Sequence, residues 1–305
     1  AKLEKGADAV KIAGQIRASL RETSGDAGDQ VRFRTRLIVK GAVNEDWTYT
    51  GRFEQNQYAS GAKGAAGEDG VELNWAYVSG KLGGLKVDIG RQDFKLNNGT
   101  VVDTRFDGIK AVYGKDVKLT GFVGKGGKDM AETTRFNNES EDRFYAADVA
   151  TKLGVVDAHA TYYKFDASKD MDNEVWAVGA SMPLAKGLKV TAEWITGDYG
   201  DGDDNGWVAG VAYKGAKASA PGSWGVWANY YDQPQSTYFY NSIESYAKMP
   251  SVENATADGY KGWELGANYA VAKNIVAQVM YYDLEARENS AETEETLWTQ
   301  VTFTF

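Results

Sequence analysis

The stretch VRFRTRLIVKG, Val31–Gly41, sets Arg32, Arg34 and Arg36 on alternate positions between Val31, Phe33, Thr35 and Leu37. Read as a β-strand, with a rise of about 3.4 Å per residue and successive side chains on opposite faces, it lines up three guanidinium groups roughly 7 Å apart on one side. The other side is apolar. In a soluble sheet the arginines would be an ordinary solvated face. The rest of the chain has to show whether a different surface lies behind them.

With 305 residues, length alone does not separate one large all-β domain from two smaller ones. Thirty-five glycines, 12% aromatic residues and only 4 prolines favour many strands and turns over helices. The net charge of -9 argues against a nucleic-acid partner, since phosphate binding draws on cationic surface. No cysteine is present, which removes disulfides, thiolate zinc sites and cysteine catalysis. No apolar run reaches the 18 residues of a transmembrane helix candidate, so the chain is either soluble or crosses a membrane as strands.

Segments of about ten residues alternate in polarity along the whole chain. Sixteen are predicted, from 10–20 and 31–43 through to 274–285 and 295–305, with the sixth starting at 108. Their connections are alternately short, as at Gly83 with Gly84, Gly154 and Ala272 with Lys273, and long, as at Ala59–Gly70, Gly126–Asp142 and Pro234–Gly259. A sandwich has no reason to sort its loops in this way. An up-and-down antiparallel barrel crossing a membrane does, because one rim carries tight turns and the other long loops. An even strand count then puts both termini at the short-turn rim.

The outward face tests this reading. Trp207, Ala209, Val211 and Tyr213 share one face of their strand, as do Trp224, Val226, Ala228 and Tyr230, and Trp263, Leu265, Ala267 and Tyr269. Six residues cover about 20 Å along a strand, which suits aromatic edges on a lipid-facing band. The opposite faces are polar, with Lys189, Thr191 and Glu193 on one strand and Arg32, Arg34, Arg36 and Lys40 on another. An arginine facing lipid at mid-depth costs about 2 to 4 kcal/mol, so the arginine ladder must line a wet interior. Sixteen strands make that interior wide enough for water.

Catalytic and metal motifs dissolve on inspection. His159 is the only histidine and no serine lies beside it, so it reads as a strand residue facing a polar lumen. DGDDNG, Asp201–Gly206, fits the first half of an EF-hand loop, but its twelfth position is Ala212 where a bidentate Glu is needed, and strands flank it. An acidic, solvated loop is the expectation there, with weak Ca2+ binding by Asp201, Asp203 and Asn205 as the lesser reading. No cofactor is expected.

The C-terminal TLWTQVTFTF, in which Leu297, Thr299, Val301, Phe303 and Phe305 alternate, together with GRQD at Gly90–Asp93 and KIAGQIRASLRE at Lys11–Glu22, resembles the trimeric general porins of bacterial outer membranes. Within that family the chain is most similar to the barrel domain of the OmpM-type porins of diderm Firmicutes, in which the barrel follows an S-layer-homology domain and a stalk. The resemblance implies a single barrel domain over 1–305, a periplasmic lead-in at 1–9 and a homotrimer. It implies that the terminal Phe305 is read by the outer-membrane assembly machinery, and that a third loop at 94–107 folds into the pore. Porins of this kind oppose a basic wall to an acidic loop. Arg17, Arg32, Arg34, Arg36 and Arg52 are the expected basic side and Asp103 and Asp107 the acidic one, although NNGTVVDTRFDG carries few acids and its own Arg105 offsets part of the field. The expected function is a non-enzymatic, water-filled channel for small hydrophilic solutes and ions. Two alternatives stand beside it: a sugar-selective channel using Tyr163, Phe165, Trp227 and Tyr231, and the barrel part of an envelope tether.

Overall fold

The computed structural model describes residues 10–25, 29–59, 70–126, 143–166, 172–198, 204–250, 259–287 and 292–305. Sixteen strands follow one another in chain order: β1 (Val10–Thr23), β2 (Gln30–Ala42), β3 (Thr48–Tyr58), β4 (Glu72–Leu82), β5 (Leu85–Lys95), β6 (Asp103–Tyr113), β7 (Val117–Gly126), β8 (Arg143–Leu153), β9 (Val156–Asp166), β10 (Asn173–Ala185), β11 (Leu188–Gly197), β12 (Asn205–Lys214), β13 (Trp224–Pro234), β14 (Gly259–Ala272), β15 (Ile275–Ala286) and β16 (Thr293–Thr304). Each pairs antiparallel with its neighbour, and β1 pairs with β16, so the sheet closes into a barrel without edges. The described residues outside the strands include two short 3-10 turns, Gln235–Thr237 and Ser242–Ser245.

The two-residue period of the sequence is the inside-outside period of the wall. Val31, Phe33 and Leu37 are exposed on one face of β2 while Arg32, Arg34 and Arg36 are half-buried on the other. Around the outer surface Ile16, Phe53, Ile89, Ile109 and Val149 are likewise exposed, an apolar belt that only hydrocarbon or another apolar surface can cover. Aromatic rings mark its edges. Trp207 stacks on Tyr230 with centroids 5.1 Å apart, and Tyr230 meets Trp263 edge-on at 4.9 Å. Near the opposite rim Tyr213 meets Trp224 at 5.7 Å, with the Lys214 ammonium 4.9 Å from each ring.

The seam between the first and last strands depends on a close approach. Phe305 exchanges both backbone hydrogen bonds with Gly14, at 2.8 and 3.0 Å. Its ring lies over Gly14 so closely that a Cβ there would sit 2.1 Å from the Phe305 ring.

The sixth strand departs from the sequence expectation. It begins at Asp103, not at 108, and the β5–β6 hairpin continues through the pair Lys95–Asp103 to a turn of only seven residues, 96–102. The hairpin leaves the wall where Gly90 faces Gly108, since the β4–β5 ladder ends at Ala76–Arg91. Gly90 holds φ at +126°, and a Cβ on it would meet the Ala76 carbonyl oxygen at 2.3 Å, so no other residue fits this bend. Beyond it the hairpin crosses the barrel interior. Asn97 Nδ2 donates to Thr161 Oγ1 on β9 at 2.8 Å, Thr100 Oγ1 donates to Glu193 on β11, and the Thr100 carbonyl accepts from Gln233 Nε2 on β13 at 3.1 Å. Phe94 and Phe106 of the hairpin pack on Phe122 and Phe144 of β7 and β8, with centroids 4.4 to 6.0 Å apart.

A second segment also enters the interior. Residues 235–249 run from the inner side of β10, where the Ser236 carbonyl accepts from Asn173 Nδ2 at 3.2 Å, to β16, where Lys248 N donates to Thr296 Oγ1 at 3.1 Å. On the way they are latched to the hairpin turn. Val102 and Tyr240 form a parallel bridge, Phe239 N donates to the Val101 carbonyl at 2.9 Å, and Ser242 N donates to the Gly99 carbonyl at 2.9 Å. The composition of this stretch explains why it does not sit in water: Tyr238, Phe239, Ile243 and Ala247 are buried, and they have nothing but the interior to pack against.

Candidate functional site

The two inward segments divide the lumen, and a chamber of about 500 Å³ lies against β1, β2 and β3. Its wall is set by strand pairing. Arg17 of β1 stands opposite Arg34 of β2, Ser19 opposite Arg32, and Gln15 opposite Arg36; on the next pair Arg36 stands opposite Glu54, and Ile38 opposite Arg52. Arg17, Arg32, Arg34, Arg36 and Arg52 are thus brought together, with Arg21 and Arg105 added.

Several of these charges are paired. Arg36 Nε donates to Glu54 Oε2 at 2.5 Å, and Arg52 donates to Asp93 at 3.1 and 3.4 Å while its guanidinium lies 3.9 Å over the Trp75 ring. Arg105 bonds Asn74 Oδ1 and lies 3.8 Å from Glu72. On the far side of the chamber stand Asp103, Tyr240, Glu244 and Tyr246, all from the inward segments or their roots. Lys95 Nζ and Ser242 Oγ hold Asp103 at 2.8 and 2.7 Å. Tyr246 packs edge-on against Trp298 at 5.3 Å, and the guanidinium carbons of Arg17 and Arg32 lie 5.2 and 5.5 Å from the same indole. The arrangement is a basic wall and a mixed acidic and aromatic partition lining one polar chamber.

Asp107 lies elsewhere. It takes a bidentate ion pair from Arg91 at 2.7 and 2.8 Å and shares the sheet face of the exposed Ile109, outside the chamber that Asp103 lines. Of the aromatics that a sugar path would use, Tyr163 and Phe165 are each 1% exposed and belong to the packed cluster beneath the inward segments. Trp227 and Tyr231 both donate to Glu264, at 2.6 and 2.5 Å, beside a smaller chamber of about 250 Å³. His159 faces the lumen and meets Glu193 at 2.9 Å. Asp201 and Asp203 of the acidic loop, like the lead-in 1–9, fall outside the described residues, and Asn205 opens β12.

The sequence pattern does not mark Arg21, Trp75, Trp298 or the inward course of 235–249 as part of the site. The segment did carry a signal: STYFYNSIESY is far too apolar and aromatic for a solvated loop.

A closed sixteen-strand barrel with an apolar belt, aromatic edges and a charged, water-filled, narrowed lumen is a multi-pass β-barrel of the outer membrane, a channel through which small hydrophilic solutes diffuse passively. The chain belongs to the Gram-negative porin family, whose sequence profile matches residues 5–289. A search of curated proteins found no relative of the chain. Among solved structures the fold is similar to Salmonella typhi OmpF in complex with daunomycin (TM-score 0.64, 14% identity, 97% of each chain covered). It is similar also to a loop-deletion mutant of OmpT, an outer membrane protein of Vibrio cholerae (TM-score 0.61, 13% identity, 97% of this chain and 99% of that one). A mutant of the Rh. blastica porin aligns with a TM-score of 0.60 at 16% identity, over 97% of this chain and 100% of that one. At such identities these likenesses speak for the fold.

Proposed function

We propose that the chain is a homotrimeric, OmpM-type general diffusion porin whose constriction lies between the arginine wall of β1–β3 and a partition built from two latched segments, the β5–β6 turn and residues 235–249. The observation that supports this is that Arg17, Arg32, Arg34, Arg36 and Arg52 line one chamber together with Asp103. A field across a pore orders water along it, which favours polar solutes that can turn in the field and disfavours apolar ones. The trimer and the OmpM-type assignment rest on the resemblance at Lys11–Glu22, Gly90–Asp93 and the C-terminal stretch. On that assignment an envelope-tethering role would belong to an N-terminal domain and not to the barrel. The channel is not an enzyme and needs no cofactor.

Planar-bilayer recording tests the reading. Purified protein should insert in current steps with three conductance levels and pass current that added oligosaccharides leave unchanged. A single level would remove the trimer, and saturable block by oligosaccharides would replace general diffusion with sugar selectivity.

The assembly machinery is the other proposed partner, through Phe305, whose ring covers Gly14 on the lipid side of the seam. Deleting Phe305 should lower the amount of barrel inserted in cells while leaving the conductance of inserted channels unchanged. Equal insertion of the deletion variant would reduce Phe305 to a packing residue.

A further inference from the structure

The arginine chamber holds more than the field of a general pore requires. The chain has eleven arginines, and seven of them line this one chamber, whereas none of the described lysines does. Five carboxylates share the lining: Glu54, Glu72, Asp93, Asp103 and Glu244. Four of these lie within ion-pair distance of Arg36, Arg105, Arg52 and Lys95 respectively, and Glu244 accepts from the Asn241 backbone N–H at 2.7 Å. Arg17, Arg21, Arg32 and Arg34 have no carboxylate partner among the described residues. The contacts they do make are with Gln15 Oε1, 3.1 Å from Arg34, and with the Trp298 ring.

The register makes this costly. Arg17 and Arg34 are directly opposed across the β1–β2 ladder, an arrangement of like charges that destabilises a strand pair unless something anionic sits between them. Arg17 is only 4% exposed, so water screens its charge poorly. The choice of arginine over lysine is informative too. A lysine ammonium would supply the same charge, but the planar guanidinium fork matches two oxygens of a carboxylate or phosphate at once.

From this geometry we infer that the chamber contains a binding site for small multivalent oxyanions, either phosphates or di- and tricarboxylates, held by Arg17, Arg32 and Arg34 with Trp298 as the wall behind them. The inference rests on the channel reading above. A solute that must leave as well as enter is held weakly, so the site acts as a stepping point that raises the local concentration of such anions in the pore.

The test uses wild-type channels in a planar bilayer carrying chloride current, with inorganic phosphate or citrate added to one side. Each should lower the chloride current in a saturable manner, and the stronger of the two blockers identifies the ligand class. The double variant Arg17→Lys/Arg32→Lys keeps both charges. Measured against its own unblocked current, it should raise the half-blocking concentration about tenfold, the loss expected when bidentate charge-assisted hydrogen bonds become single ones. Arg91→Gln, outside the chamber, should block like the wild type. Absence of saturable block in the wild type, or block unaltered by the double lysine variant, would overturn the site while open channels still left the porin reading in place.

Discussion

Phe144→Ala is expected to give barrels that insert but conduct with a larger and noisier current. Phe144 is fully buried, and its ring contacts Phe94 and Phe106 of the β5–β6 hairpin, Phe122 and Tyr163 of the wall, and Phe239 of the second inward segment, with centroids between 4.5 and 6.2 Å. It touches both inward segments and the wall. Truncating a buried Phe costs about 3 to 5 kcal/mol, the sum of lost transfer energy and the cavity left behind. The wall itself is held by a closed ladder of backbone hydrogen bonds that the substitution does not touch. The loss therefore falls on the docking of the partition, which is held by side-chain packing and scattered hydrogen bonds and opens first. Single-channel recording should show excess open-state noise and a raised mean conductance, and protease should cut within 96–102 or 235–249 faster than in the wild type. A quiet trace at wild-type conductance would mean that the hydrogen bonds at Asn97, Thr100 and Ser242 suffice to hold the partition, and that the aromatic cluster only fills space.

The wall was readable because each strand has one wet and one greasy side, so period-two alternation appears in the sequence with little else to obscure it. That is why the arginines of 31–41 fall on the inner face as expected. Reading failed where the chain has protein on both sides. The residues NNGTVVDTRFDG have no lipid-facing row, so the strand character of 103–107 was invisible, and so was the inward course of 235–249. Asp103 and Asp107 show the same limit in finer detail. They lie on one face of β6, four residues apart. At the Gly90–Gly108 bend that face still opens to the outside, where Asp107, one residue past Gly108, pairs with Arg91; nearer the turn the same face lines the chamber, where Asp103 stands. Parity was legible, but the bend that changes what the parity faces was not. Pairings such as Arg52 with Asp93 and Trp75 depend on which residue stands opposite which across neighbouring strands, a register detail that alternation does not encode.

Arg34→Glu is expected to move ion selectivity further than any other single change in the wall. Arg34 sits at the centre of the ladder, opposite Arg17 on one side and Asn56 on the other, with Arg32 and Arg36 two residues away on its own strand. In the wild-type chamber seven arginines face five carboxylates, an excess of two positive charges. The substitution removes one positive charge and adds one negative charge, which brings the chamber to balance. The new carboxylate lies opposite Arg17, so it replaces a like-charge pair with an ion pair, and folding should be retained or improved. In a tenfold salt gradient an ideally selective pore reverses at about 59 mV, so a change on the order of 10 mV toward the cation side is the expected reading from a moderately selective one. The shift should shrink at high salt, because the Debye length falls from about 10 Å at 0.1 M to about 3 Å at 1 M and the chamber charges no longer reach the middle of the path. Conductance should change less than the reversal potential, since no side chain is added to the narrowest point. If the reversal potential stays where it was at low salt, the conducting path does not pass along β1–β3, and the basic wall has to be assigned to packing the partition in place of selecting ions.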